Sequence, residues 1–281
     1  MRKQKKNWIG LLFILPSLTG IFVFYLFPFL GSLSYTFTQG VAEQKFSGFQ
    51  NFTDLMKNVV FRKAALNTFL FLSVGIVLLI TISLTVSVIA VKRPFRWQRW
   101  ALMLPVAIPS ASLALGWQSL WGMEGAIGKL LGMPEVDFLS GPLAFPLAVL
   151  LFAVKNVGYI SILLMSAIDT LPAEHRESFR LEDNREIKYI QHILLPEIFP
   201  ILLVAILLAV MQYFLFFRDL YTLYGDNPPQ SVYMLQHFMN ASFYQLNFQR
   251  LSASALLMIL FLAAFAAVLL YLQRRMEQDV G

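Results

Sequence analysis

The sequence predicts an all-α polytopic membrane protein, and its composition carries that prediction. Of the 281 residues, 58% are hydrophobic and only 14% are charged. Soluble domains carry about 45–50% apolar and about 25% charged residues, so an ordinary globular enzyme is excluded. Disorder is excluded as well, because a chain with 26 Phe, 10 Tyr and 5 Trp buries apolar surface readily. The lack of cysteine excludes disulfides, thiolate metal sites and cysteine catalysis.

Six stretches are long and apolar enough to cross a bilayer, which needs about 20 such residues per helix. They cover residues 8–30, 66–91, 100–121, 143–168, 198–217 and 251–272. The runs are continuous rather than alternating, so we expect helices and not the strands of a β-barrel. Within the third, Pro105 and Pro109 bracket an expected kink, since proline removes a helix hydrogen bond. Residues 1–281 are expected to form a single membrane domain.

Four basic residues, Arg2, Lys3, Lys5 and Lys6, precede the first span, which therefore resembles a secretory signal. Its apolar run exceeds the about 7–15 residues of a signal peptide, and no small-residue cleavage site follows it. We interpret it as a retained first helix. The segment 31–65 that follows carries Phe46, Phe49 and Phe52, and we expect a short strand-like piece and an interfacial helix there. A cap over the helix ends and a docking surface are both compatible with this segment.

The distribution of Lys and Arg predicts the orientation. Of 22 such residues, 14 lie at the N-terminus, in 92–99, in 176–188 and at the C-terminus, all on one side of the six spans. The other side holds seven, spread over longer loops. Because basic residues concentrate in cytoplasmic loops, both termini are expected in the cytoplasm.

Catalytic motifs are missing, so we do not expect an enzyme. The segment 122–130 has the wrong glycine spacing for a phosphate-binding loop, and Leu130 stands where such a loop needs a hydroxyl. His175, His192 and His237 lack the spacing of metal ligands, and no metal site is expected. No Asp or Glu lies within a predicted span, so a proton relay is not expected either.

The loop 171–197 is the most charged part of the chain. A first short helix is expected after Pro172, and a second carries Ile187, Ile190 and Leu194 on one face. A turn at Asp183-Asn184 would join them. A solvent-exposed loop that only joined the two spans would need about two to eight residues. We therefore favour docking to a cytoplasmic partner over such a loop.

This loop resembles the EAA loop of permease subunits of binding-protein-dependent ATP-binding-cassette importers. That pattern is Glu-Ala-Ala, three residues, Gly, nine residues and Ile-x-Leu-Pro. This chain has the same spacing, with Ser, Phe and Asp in place of Ala, Ala and Gly. The resemblance therefore implies that an ATPase-coupling loop includes Glu177, Ser178, Phe179, Asp183, Asn184, Ile193, Leu195 and Pro196.

Other segments are similar to the carbohydrate-type permeases of the maltose and glycerol-phosphate transporter group, and to the first permease of each pair. They are Leu15-Pro16, 24–28, 46–52, Asn67-Thr68, Leu104-Pro105 with Trp117, 168–172, 225–228 and 252–255. On these residues the chain is identified as a member of that family, with the six-helix fold of a type I importer permease.

The resemblance implies an importer that moves a sugar or oligosaccharide across the cytoplasmic membrane of a prokaryote by alternating access. Implied partners are a second homologous permease, two cytoplasmic ATPases and an extracytoplasmic solute-binding protein. ATP and Mg would be bound by those ATPases, with no cofactor held by this chain. Glycerol phosphate, a polyamine or another polar solute is the alternative cargo. A stand-alone carrier or channel and a signalling membrane protein are the other classes considered.

A sugar path needs neutral hydrogen-bonding groups and aromatic faces, because each desolvated hydroxyl must regain a partner. Spans four and five supply such candidates: Lys155, Asn156, Tyr159, Gln212, Tyr213 and Phe216. The same residue types also join helices and fill bundle cores. For Lys155, the only charge within a predicted span, two roles are open: pairing with a carboxylate of the partner permease, or binding an acidic group of the solute.

Overall fold

The computed structural model describes residues 8–40, 45–92, 96–172 and 185–280. Helices dominate the described residues, whose strands form one short antiparallel pair, β1 (Thr38–Gln39) with β2 (Lys45–Phe46). The helices are α1 (Trp8–Ile21), α2 (Phe27–Thr36), α3 (Gln50–Lys57), α4 (Val59–Lys92), α5 (Arg96–Ala107), α6 (Ser110–Trp121), α7 (Ala126–Leu130), α8 (Ala144–Asp169), α9 (Glu186–Tyr189), α10 (Leu195–Tyr224), α11 (Leu235–Tyr244) and α12 (Phe248–Val280). Single π-helical turns, Phe22–Leu26 and Ile190–Leu194, join α1 to α2 and α9 to α10.

Five helices in the described residues are long and apolar enough to cross a membrane. They are Phe13–Thr36, Val59–Val91, Ala144–Asp169, Glu186–Tyr224 and Phe248–Arg275. The strand pair and α3 lie between the first two, which confirms the expected strand-like piece and helix within 31–65.

The predicted third span, 100–121, is not one continuous helix. The helix axis turns by 96° between α5 and α6, so the two make a sixth span only as a broken pair. The break falls at Ile108 and Pro109, between the two prolines where a kink was predicted. Pro109 itself has extended backbone (φ −59°, ψ 145°), and Ile108, the residue before it, is sterically disfavoured from the helical region. The position of the kink is thus confirmed.

The predicted fifth span, 198–217, lies inside a longer helix that runs from Glu186 to Tyr224. The separate coupling helix expected around Ile187 and Ile190 is instead continuous with it through the π-helical turn. Pro196 stands in the first turn of α10, directly after the π-helical turn Ile190–Leu194, so its missing N–H falls where the regular α-helical hydrogen-bond ladder is already interrupted. Ile187 is 70% exposed and Leu194 is buried within this chain, and the shared apolar face for a partner stays a prediction.

The chain groups into two compact units. The first comprises described residues within 1–62 and 238–262. Its organising contact is Asn51 of α3, whose Nδ2 donates to the backbone oxygens of Tyr35, Thr36 and Thr38 at 2.9–3.2 Å. The rings of Phe37, Phe49 and Phe52 pack together beside it. Asn51 thereby holds the end of α2 and the start of β1 against α3.

The second unit comprises residues within 63–237 and 263–281, with α8 at its centre. Helix α8 packs against α5 and α10, and α10 packs against α6. The core is aromatic and contains Phe71, Phe145, Phe152, Tyr213 and Phe216. Whether all 281 residues act as one domain stays a prediction.

Small residues allow close packing around α8. Ser87 Oγ of α4 donates to the backbone oxygen of Ser161 at 2.9 Å. On another face, a Cβ added to Gly158 would overlap the backbone oxygen of Leu102 in α5. Membrane helices associate through such small and hydroxyl-bearing residues, because lipid offers no hydrophobic drive for association. These contacts fix the register of α8 against α4 and α5.

Candidate functional site

A cavity of about 500 Å³ lies beside the break between α5 and α6, and we call it the inner cavity. It is lined by residues 106–109, Lys155, Asn156, Gln212 and 214–219. Three elements therefore build it: the α5–α6 break, the middle of α8 and the second half of α10. Its size is within the about 300–1,000 Å³ of small-molecule sites.

Lys155 of α8 is paired with Asp219 of α10 at the wall of this cavity. The Lys155 Nζ donates to Asp219 Oδ1 at 2.5 Å, and the side chains are only 13% and 4% exposed. The carboxylate thus comes from this chain, and the expectation that a second chain supplies it is wrong. Asp219 lies just beyond the predicted span 198–217, in the part of α10 that continues past residue 217.

Arg218 precedes Asp219 and contacts the other helix of the cavity. Its Nε donates to Ser110 Oγ, in the first turn of α6, at 3.2 Å. Two adjacent residues of α10 therefore bind α6 and α8 by side-chain contacts. The cavity wall combines two cations, one carboxylate, two amides and several phenylalanine rings, which suits a polar molecule with apolar faces.

The six predicted path residues do not all reach the inner cavity. Lys155, Asn156, Gln212 and Phe216 line it, whereas Tyr159 and Tyr213 do not. Tyr213 is buried against Phe71, with ring centroids 5.2 Å apart, as a core residue would be. Asn156 Nδ2 donates to the Phe152 backbone oxygen at 2.9 Å, so part of its capacity serves its own helix. Solute contact by these residues stays a prediction.

The predicted coupling loop is only partly within the described residues. Glu177, Ser178, Phe179, Asp183 and Asn184 lie outside them. Ile193 belongs to the π-helical turn, and Leu195 and Pro196 begin α10. The described helix that leaves the loop is thus continuous with the wall of the inner cavity.

Sequence reasoning missed Arg218, Asp219 and Ser110 as parts of this site. One signal pointed to Asp219, because a lysine within a span requires a carboxylate nearby. Searching just beyond the apolar runs for that carboxylate would have found the Phe217-Arg218-Asp219 segment. Ser110 carried no such signal, because its role depends on the break in the helix.

The chain is similar to known proteins over most of its length. The family model for the binding-protein-dependent transport system inner membrane component matches residues 107–281. A trehalose/maltose transport system permease of Thermococcus litoralis is 24% identical over 80% of each chain. A probable starch degradation products transport system permease of Thermoanaerobacterium thermosulfurigenes is 22% identical over 96% of this chain and 95% of its own. An sn-glycerol-3-phosphate transport system permease of Pectobacterium atrosepticum is 26% identical over 70% of each.

Solved structures share the fold. A chain of a bacterial ABC transporter involved in the import of the acidic polysaccharide alginate superposes with a TM-score of 0.81, at 18% identity over 96% of both chains. A second structure, of a bacterial alginate transporter with an alginate pentasaccharide-bound periplasmic protein, gives 0.78 at 19% identity. The all-α architecture predicted from composition is thereby confirmed.

Proposed function

The chain belongs to the family of binding-protein-dependent transport system inner membrane components, and we propose that it is a permease subunit that imports carbohydrate at the expense of ATP hydrolysed by partner subunits. Two of the relatives above are named for sugars or starch products. The observation that carries the proposal is the inner cavity, where amides, paired charges and phenylalanine rings surround about 500 Å³ at a broken helix.

The chemistry of this wall supports a sugar as cargo. Amide groups of Asn156 and Gln212 exchange hydrogen bonds with hydroxyls, which must be compensated when they leave water. The half-buried rings of Phe214 and Phe217 offer apolar surface to the C–H faces of a pyranose. Because Asp219 neutralises Lys155, the pair presents a donor and an acceptor without a large unbalanced charge.

The continuous helix from Glu186 to Tyr224 supports a coupling mechanism. At about 1.5 Å per residue its 39 residues extend roughly 58 Å, from Glu186 in the predicted coupling loop, past the inner cavity, to Tyr224. In our proposal, ATP-driven closure of the partner ATPases moves the loop, and α10 transmits that movement to the Lys155–Asp219 contact. The break at Pro109 lets α5 and α6 move separately, so the cavity opens to alternate sides.

The proposed assembly contains a second permease, two ATPases that bind ATP and Mg, and an extracytoplasmic binding protein. The first and last spans bury none of their most apolar residues inside this chain, which supports lipid and a second permease as their neighbours. The charge distribution supports an orientation with both termini and the loop 171–197 in the cytoplasm.

The test is to co-express the chain with its neighbouring transporter genes, purify through a tag on it, and reconstitute the complex in liposomes. We expect ATP hydrolysis that rises when solute-loaded binding protein is added, together with ATP-dependent uptake. Glu177→Ala should abolish the stimulated hydrolysis while the subunits still co-purify, because it alters the coupling loop alone. Glu124→Ala, in the segment after α6, is the matched control and should behave like the unaltered protein.

Uptake by this chain alone, without co-purifying ATPase, would refute the proposal and favour a stand-alone carrier or channel. Stimulation by glycerol phosphate or a polyamine, with none by any sugar, would keep the ATP-driven importer and replace its cargo.

A further inference from the structure

A second cavity, of about 570 Å³, lies at the far end of the same helices, and we call it the outer cavity. It is found where the C-terminal ends of α6 and α10 meet the segment that precedes α8. Its polar lining residues are Gln118, Asp137, Ser140, Tyr224 and Asn227. Helix α8 begins at this end and its last residue, Asp169, shortly precedes the coupling loop in the chain, so the outer cavity is at the end of α8 opposite to that loop.

Local hydrogen bonds hold these polar groups in position. Asp137 Oδ1 accepts the backbone N–H of Leu139 at 3.0 Å, and the Phe138 N–H donates to the Trp121 backbone oxygen at 3.1 Å. Gln118 Nε2 donates to the backbone oxygen of Leu223 at 3.3 Å, which joins α6 to α10. The walls are therefore built before any ligand arrives, which lowers the entropic cost of binding.

Two buried polar atoms near this cavity lack a hydrogen bond to any described residue. They are the Tyr224 hydroxyl, on a residue that lines the cavity, and Trp117 Nε1, one residue before Gln118. Leaving such a group unpaired costs about 1–3 kcal/mol. The two unpaired groups therefore favour a polar ligand or bound water at this place.

The charge of the outer cavity differs from that of the inner one. Among the described residues its lining contains one carboxylate, Asp137, and no Lys or Arg, whereas Lys155 and Arg218 both line the inner cavity. A carboxylate forms strong hydrogen bonds with hydroxyl donors and repels anions. The lining therefore suits an uncharged polyhydroxylated molecule and disfavours one that carries carboxylates or phosphates.

We propose that the outer cavity is a binding site for uncharged carbohydrate, which a solute occupies before it reaches the inner cavity. The geometry supports two sites in series, since Asp219 and Leu223 line the two cavities one helical turn apart, about 6 Å along α10. This inference rests on the proposed function and narrows its substrate class to neutral sugars.

The experiment uses the natural lack of cysteine in this chain. Ser140→Cys is introduced, the full transporter is purified without binding protein or ATP, and the rate of maleimide labelling of this subunit is measured. The neutral probes are maltotriose, trehalose and raffinose, and the anionic probe is trigalacturonate. We expect at least one neutral probe to slow labelling several-fold and trigalacturonate to leave it unchanged. Ser119→Cys, on an exposed part of α6 outside the lining, is the matched control and should label equally with every probe.

Asp137→Asn in the Ser140→Cys background provides the second test. Loss of a charge-assisted hydrogen bond should weaken protection by the neutral probe about tenfold or more in concentration. If Ser140→Cys prevents assembly, Asn227→Cys reports on the same cavity. Protection by no neutral probe, or equal protection by trigalacturonate, would overturn the proposal.

The same variant separates this inference from the proposed function. A Ser140→Cys complex whose ATP hydrolysis responds to loaded binding protein, but whose introduced thiol no neutral probe protects, would retain the proposed function and lose the outer site. Protection of that thiol by a neutral probe, without any response of ATP hydrolysis to loaded binding protein, would retain the outer site and contradict the proposed function.

Discussion

Lys155 Nζ and Asp219 Oδ1 lie 2.5 Å apart, and this contact joins two membrane helices through residues 64 positions apart in the chain. An unpaired charge within a membrane is energetically costly, and the ion pair offsets that cost for both Lys155 and Asp219. The pair also forms part of the inner cavity, so helix packing and the candidate site depend on the same two residues.

Removing one partner should therefore destabilise the protein strongly. Lys155→Met leaves the buried Asp219 carboxylate unpaired, and we expect a loss of about 3–5 kcal/mol in thermal unfolding of the detergent-solubilised complex. The double variant Lys155→Met/Asp219→Leu should recover part of that loss. Arg99→Met is the control, because it breaks an exposed pair with Asp169 and should cost less than about 1 kcal/mol. Equal effects of Lys155→Met and Arg99→Met would contradict the assigned burial.

The close contact between Gly158 of α8 and Leu102 of α5 predicts the effect of adding a methyl group at Gly158. An alanine Cβ there would overlap the backbone oxygen of Leu102, and backbone cannot move aside as a flexible side chain can. Gly158→Ala should thus cost more than the about 1–3 kcal/mol of ordinary overpacking, measured by thermal unfolding. Gly116→Ala in α6 has no atom within 4 Å of its Cβ and should be neutral or slightly stabilising. A tolerated Gly158→Ala would show that α5 and α8 are farther apart.

Asn67 of α4 holds the segment between α10 and α11. Its Nδ2 donates to the backbone oxygens of Gln230 at 2.7 Å and Tyr233 at 3.0 Å. Asn67→Ala leaves both carbonyls without this donor, and we expect a loss of about 1–3 kcal/mol together with faster proteolysis within 225–234. Thr81→Ala, which removes only an exposed bond within α4, should change neither. Unchanged proteolysis in Asn67→Ala would mean that the segment is held by other contacts.

His237, which lies in α11, predicts a pH dependence of stability. Burial lowers the pKa of His237 to about 4 from its usual 6.5, and its ring packs against Phe217 and Tyr233. The unfolded chain then binds a proton at a higher pH than the folded chain does. The contribution of His237 to the free energy of unfolding is therefore fully present above about pH 6.5 and decreases as the pH drops toward 4.

Between about pH 7.5 and about pH 5, the unaltered protein should lose about 2 kcal/mol more stability than His237→Gln, because glutamine does not titrate. The measurement is thermal unfolding at the two pH values. Parallel losses in both proteins would place His237 in a more hydrated environment than the structure gives it.

The kinked third span and the extended fifth span illustrate how far sequence reasoning reached. Pro105 and Pro109 located the break correctly, because the steric effect of proline is local. The 96° angle is set by packing of α5 on α8 and of α6 on α10. It therefore could not be predicted from the residues near the break. Apolar runs mark lipid contact and did not show how far the helix extends, whereas α10 continues beyond its apolar run to the buried Asp219 and on to Tyr224.

The membrane class, the approximate positions of the long apolar helices, the charged loop and the family resemblance could be predicted from the amino-acid sequence. Each of these depends on composition or on spacing along the chain, and the cost of exposing polar groups to lipid makes such signals strong. The packed structure was needed to show that Asp219 pairs with Lys155, that Gly158 contacts Leu102, and that Tyr213 belongs to the core while Gln212 lines a cavity. Those facts depend on the rotation and register of packed helices, which are set by contacts between residues far apart in the chain.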